Sequence, residues 1–252
     1  MKIRDHLWIW GHPENSLHHL FGLEHESHVT PIDGIHELGA RNLFYIPMGR
    51  KVDRNALSAE MQKECNRFGW SIENPEMLAE LLPLKADNPS LGILIFDDFF
   101  RTEENENSID HYSIESLVDF RKKINAAGME LWAVFYERDI EFDLTPFLTC
   151  FDGMTFWFWS QPTIEQYEST IVRFIEKTPG LKRMVGCYLY DFGREKSADP
   201  KLVERELNRD MDFIRDGKID GVILHTNAVG GYGEPGYDAA IKWVAENGDK
   251  EI

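Results

Sequence analysis

The chain is poor in cysteine, in positive charge and in long apolar runs, and each shortage excludes something. Its three cysteines, Cys65, Cys150 and Cys187, show no CxxC spacing. An odd, scattered set in a chain of this length does not make a disulfide framework. Lysine and arginine number 27 against 44 acidic residues, a net charge of −17. Such a surface repels polyanions, so nucleic acid and anionic membrane are not expected partners. No apolar stretch is long enough to span a bilayer. The first ten residues carry Lys2, Arg4 and Asp5 rather than the apolar segment of an export signal. Read as written, the chain is expected in the cytoplasm; a version whose export signal had been removed would read the same way. The charge serves solubility, or forms an acidic mouth that attracts a cation, a metal or a neutral sugar.

What the chain does have is aromatic residues and a repeating pattern. Hydrophobic residues make up 42% of it, with 7 tryptophans and 16 phenylalanines. Eight short apolar runs recur, each followed by a helical pattern: Leu7–His12, Leu43–Met48, Gly69–Glu73, Leu91–Asp98, Leu131–Glu137, Gly153–Trp159, Met184–Asp191 and Gly221–Asn227. The alternation predicts a (β/α)8 TIM barrel, and 252 residues suit one such barrel as a single domain over 1–252. Helices are expected at Thr30–Leu38, Asp53–Phe68, after Asn74-Pro75, and at Ile114–Ala127, Leu144–Cys150, Thr163–Lys177, Pro200–Asp216 and Gly236–Asn247. Thr30-Pro31 and Gly39 are typical helix start and stop signals. Pro13–Val29, with His18, His19, His25 and His28, reads as a long solvated first loop, and Phe99–Tyr112 as a polar, acidic one.

Barrels of this kind carry their chemistry at the carboxyl ends of the strands, so the strand ends are the candidate site. Strand four ends Phe96-Asp97-Asp98-Phe99-Phe100. Two carboxylates after a wholly apolar strand are costly to bury without a role or a partner. They either tie down loop backbone or act as catalytic or metal-binding groups, and one is expected to face the mouth. Strand seven ends Tyr188-Leu-Tyr190-Asp191 and strand five Tyr136-Glu137-Arg138-Asp139. Asp191 is read as the acid facing strand four across the mouth, or as the ion-pair partner of Arg194. Glu137 is a further candidate acid. Two carboxyls bracketing one bond are what glycoside hydrolysis needs, and opposed strand tips in so small a barrel favour retention. Side chains alternate along a strand, so Trp159 should reach the mouth beyond Trp157, with Trp10, Trp70, Tyr136 and Tyr190 adding to an aromatic wall that suits sugar rings. His12 and His225 end strands one and eight, which adjoin in a closed barrel. They, with Asn227, would hold substrate hydroxyls. Alternatively His12, His225, Asp98 and Glu137 form a divalent-metal set, although no HxH or HExxH spacing is present. No metal or other cofactor is expected under the first reading. Gly230-Gly231-Tyr-Gly233 lacks phosphate-loop spacing, and Gly221–Gly236 contains no Lys or Arg, which disfavours sugar phosphates and nucleotides.

Trp8-Ile-Trp10-Gly-His12, Phe96-Asp97-Asp98-Phe99-Phe100, Thr155-Phe-Trp157-Phe-Trp159 and Gly186-Cys-Tyr188-Leu-Tyr190-Asp191-Phe-Gly193 resemble the W-W-G-H, D-D-F-F, T-F-W-W and G-C-Y-D-Y-G stretches of a bacterial barrel family. The resemblance runs over nearly the whole chain. Members are described loosely as sugar-isomerase-like or glycosidase-like, and some carry export signals. It implies the barrel and singles out these residues without supplying a reaction. Acids ending strands four and seven are also similar to those of retaining glycosidases, most nearly to α-galactosidase-like barrels with an aspartate ending strand four; that is analogy at the level of fold. The expected function is therefore a carbohydrate-active enzyme on a small-molecule or oligosaccharide substrate. A metal-dependent sugar isomerase, epimerase or lyase and a non-catalytic carbohydrate-binding barrel are the alternatives. Neither the sugar nor the oligomeric state is legible.

Overall fold

The computed structural model describes residues 1–100 and 109–252. Eight parallel strands close into one barrel: β1 (Leu7–Gly11), β2 (Asn42–Tyr45), β3 (Arg67–Ile72), β4 (Leu91–Phe96), β5 (Glu130–Tyr136), β6 (Gly153–Trp157), β7 (Lys182–Tyr188) and, after a two-stranded hairpin of β8 (Tyr190–Asp191) and β9 (Lys196–Ser197), β10 (Gly221–His225). Each strand pairs with its sequence neighbour around the barrel, and β1 against β10 closes the ring with Trp10 beside His225. The fold is the expected α/β TIM barrel.

The helices α1 (Pro31–Leu38), α2 (Arg54–Glu64), α3 (Leu78–Asp87), α4 (Ile114–Ala126), α5 (Ile164–Lys177), α6 (Pro200–Arg215) and α7 (Pro235–Asn247) cover the strands. Thr30 caps α1 through a reciprocal box with Asp33, and Gly39 ends it in the left-handed region. Two expectations need correction. The helix expected at Asp53–Phe68 stops at Glu64, because Arg67 and Phe68 already belong to β3. The helix expected at Leu144–Cys150 is a single 3-10 turn, Thr145–Phe147. The expected loop Phe99–Tyr112 lies largely outside the described residues.

The barrel interior is filled by aromatics. Trp8 stacks on Phe44 at 4.6 Å between ring centroids, and Trp10 meets Trp157 edge-on at 5.1 Å. Such rings fit only where the facing strand gives way. A Cβ on Gly186 would lie 1.9 Å from the Trp157 ring, so β7 needs glycine there. Trp157 is further fixed by its Nε1, which donates to Thr155 Oγ1 at 2.8 Å. The packed rings leave the C-terminal rim as the open end, and the cavity described below sits on them. No helix among the described residues is long and apolar enough to cross a membrane.

Candidate functional site

A cavity of about 140 Å³ opens at the carboxyl ends of the strands. Its lining brings together Trp10, His12, Asp97, Asp98, Tyr136, Trp159 and His225, all picked from strand ends. Trp157 and Tyr188 complete the strand contribution, Phe192 follows β8, and Met48 stands at the rim after β2. Leu17 and Phe21 come down from the first loop.

That loop is more than the solvated segment its histidines suggest. His18, His19 and His28 do face outward beside Glu24 and Glu26. Most of its apolar residues face inward: Leu17 and Leu23 are buried, and the Phe21 ring meets Trp159 at 5.5 Å and Phe192 at 5.4 Å, while Leu20 is exposed. The available signal was the apolar content of the segment, Leu17, Leu20, Phe21 and Leu23, overshadowed by the cluster of histidines.

The polar groups divide by environment. His12 and His225 approach edge to face at 5.2 Å and are both buried. Burial lowers the His12 pKa to about 3, and burial together with the neighbouring His12 holds His225 well below its usual value. Both imidazoles are therefore neutral near pH 7. Nδ1 of His12 finds no hydrogen-bond partner among the described residues. The Tyr136 hydroxyl hydrogen-bonds Asp98, and burial together with the charges of Asp98 and Asp97 pushes the phenols of Tyr136 and Tyr188 up. Asp98 itself holds a left-handed backbone, φ 50°.

Five residues expected at the site stand elsewhere. Asp191 is 1% exposed, and its Oδ2 pairs with Arg194 at 2.8 Å while Oδ1 accepts the Arg194 N–H. It does not line the cavity, because the chain turns into the β8–β9 hairpin just after Tyr188. Glu137 lies behind the wall, where its carboxylate accepts the Trp159 N–H at 3.1 Å; burial raises its pKa. Trp70 points to the helix layer, donating to Ser58 Oγ on α2 at 3.1 Å, since Gly69 takes the inward position on β3 and packs on Phe44. The Tyr190 hydroxyl donates to the Phe21 carbonyl at 3.0 Å and so pins the first loop. Asn227 is fully buried and holds backbone: it accepts the His12 N–H and donates to the carbonyls of His12 and Val29.

Sequence reading also overlooked a second set of acids. Glu206 and Asp210, one turn apart on α6, are buried against β7 and α5. The Tyr167 hydroxyl donates to Asp210 at 2.5 Å, and the Cys187 thiol hydrogen-bonds Glu206. Burial raises Asp210 to about 8 and Glu206 well above the carboxylate range. Among the described residues no three His, Cys, Asp or Glu side chains converge as metal ligands do.

No protein-family model and no curated relative matches the chain. Solved structures do. A tryptophan synthase α-subunit from Pyrococcus furiosus superposes with a TM-score of 0.59 at 10% identity, covering 97% of this chain and 98% of that one. A probable 2-pyrone-4,6-dicarboxylic acid hydrolase from Acinetobacter baumannii gives 0.56 at 13% identity, with 96% and 91% covered. The catalytic domain of a chitinase from Pyrococcus furiosus gives 0.59 at 9% identity, with 98% and 97% covered. Similarity at such identities establishes the TIM-barrel fold of this chain and leaves its reaction to be argued from the site.

Proposed function

We propose that the protein is a carbohydrate-active barrel enzyme of the glycoside-hydrolase kind. The observation that carries this reading is one cavity that joins the Asp97 and Asp98 carboxylates to the indoles of Trp10, Trp157 and Trp159. Indole faces bind the C–H faces of a sugar, and carboxylates supply the proton transfers of glycosidic cleavage. His12 and His225, neutral and edge to face, offer hydrogen bonds to hydroxyls without adding charge. The cavity's place at the carboxyl ends of the strands is where barrel enzymes work. A chitinase domain among the structural neighbours is consistent with the reading at the level of fold.

In this account Asp97 and Asp98 act on the glycosidic bond, and Tyr136 orients Asp98. Glu137 supports Trp159 from behind. Asp191 serves the hairpin through Arg194 rather than the substrate. The test is release of nitrophenol from a panel of 4-nitrophenyl glycosides. Turnover by the wild-type chain that falls by at least ~10²-fold in Asp98→Asn, the scale of one acid–base group, supports it. Equal rates in the two would remove Asp98 from the chemistry.

A further inference from the structure

We propose that the sugar bound here is a 2-acetamido-2-deoxy glycoside, and that its own acetamido oxygen attacks the anomeric carbon. The proposal rests on the hydrolase reading above and names its substrate class. Hydrolysis by protein groups alone needs carboxyls on both faces of the ring: one to protonate the leaving oxygen, the other to attack or to activate water from the opposite side. Among the described residues, the carboxylates lining this cavity are Asp97 and Asp98, consecutive residues at the end of one strand. The other walls present His12, Trp157, Tyr188 and His225. Asp191 is tied to Arg194, and Glu137 lies behind Trp159. A histidine base would have to work from a pKa of about 3 at His12, or one well below the usual value at His225, far from the operating pH of a useful base. Among the described residues, the lining thus offers two acids from one strand end and no carboxylate from the other walls.

A substrate that carries its own nucleophile meets this geometry. The acetamido carbonyl oxygen attacks C1 from the face opposite the leaving group, the bond from C1 to the leaving oxygen breaks, and Asp97 gives that oxygen its proton. The positive charge comes to rest on the oxazolinium ring, whose N–H is accepted by Asp98, already the acceptor for Tyr136. Water then attacks C1, passes a proton back to Asp97 and reopens the ring to the acetamide. The products are the free sugar, with its anomeric configuration retained, and the alcohol. Two carboxylates side by side suit the two tasks, since the leaving oxygen and the 2-substituent sit on adjacent carbons. The aromatic walls suit the acetamido methyl. The mechanism restricts the substrate to 1,2-trans glycosides.

The experiment uses the full chain with matched 4-nitrophenyl β-glycosides of the gluco and galacto series bearing a 2-acetamido, 2-trifluoroacetamido or 2-hydroxyl group. Binding of the corresponding thiazolines is read by quenching of the cavity tryptophans. The acetamido substrate should be cleaved at least ~10²-fold faster than the hydroxyl one, a modest share of the ~10⁵ M effective molarity open to an internal nucleophile. Trifluoroacetylation should slow it, and thiazoline should quench. Equal cleavage of the hydroxyl substrate, or trapping of a 2-fluoro glycoside on a protein carboxylate, would overturn the inference while leaving the hydrolase reading standing. Thiazoline quenching without cleavage of any substrate would keep the acetamido assignment and sink the hydrolase reading. Neither quenching nor cleavage would sink both.

Discussion

The side-chain amide of Asn227 grips the backbone of His12 from both sides. Its Oδ1 accepts the His12 N–H at 2.9 Å, and its Nδ2 donates to the His12 carbonyl at 2.8 Å and to the Val29 carbonyl at 2.7 Å. One buried residue after β10 thereby fixes the end of β1 and both ends of the first loop. Asn227→Ala removes four buried hydrogen bonds, these three and one from the Thr226 hydroxyl to Oδ1, each with a net value near 1 kcal/mol, and leaves the backbone partners unpaired. It should lower stability by about 4 kcal/mol in urea titration. It should also weaken sugar binding through a looser His12.

Gly186 and Trp157 set the depth of the cavity. An added methyl at Gly186 meets the indole at 1.9 Å. Gly186→Ala should cost about 1–3 kcal/mol as an overpacked core and shift the tryptophan emission of the folded protein. An unchanged denaturation midpoint would show that the ring has room to move.

Asp191 separates stability from chemistry. Its buried carboxylate is paired with a half-exposed Arg194. Asp191→Asn should lower the melting temperature yet leave glycoside turnover, measured well below that temperature, within a few-fold of wild type. Loss of all turnover in a folded Asp191→Asn protein would bring Asp191 back into the mechanism.

Buried titratable groups predict a bell-shaped stability profile. His12 has a folded pKa near 3, below its unfolded value of 6.5, so the unfolded chain binds more protons between them. Its contribution is present above pH 6.5 and is lost as pH falls toward 3. Asp210 has a folded pKa near 8, above its unfolded 3.8, so the folded chain holds the extra proton. Its contribution is present below pH 3.8 and is lost as pH rises toward 8. Asp210→Asn keeps an acceptor for Tyr167 and should raise the melting temperature at pH 8 relative to wild type, with the gap closing as the pH approaches 4. A constant gap across that range would contradict the protonated state of Asp210.

The barrel was legible because a strand buried on both faces, such as Leu91–Phe96, is apolar throughout, and because caps such as Thr30 and Gly39 mark the helices. Boundaries were less so: Phe68 fits the helical spacing of Met61 and Cys65 as well as the strand it joins. At the site, alternation was readable along β6 to Trp157 and carried on to Trp159 just past its end. Residues past an irregular turn were not readable. After Tyr188 the chain leaves the barrel for the β8–β9 hairpin, which carries Tyr190 and Asp191 away while Phe192 swings back to the cavity. No local pattern announces that turn. The 3–4 spacing of Val203, Leu207 and Ile214 does put Glu206 and Asp210 on the inner face of α6, but acids on an amphipathic helix ordinarily face water, so their residue type spoke against it.

The central claim is that a sugar is held by the aromatic cavity with its scissile bond at the β4 carboxylates. The most direct measurement is a crystal structure of Asp98→Asn soaked with an aryl glycoside that the wild-type chain cleaves. The account predicts the sugar ring among Trp10, Trp157 and Trp159, with its glycosidic oxygen within hydrogen-bond distance of the residue 97 or residue 98 side chain. A sugar bound elsewhere, or seated in the cavity with its glycosidic oxygen turned away from β4, would contradict it.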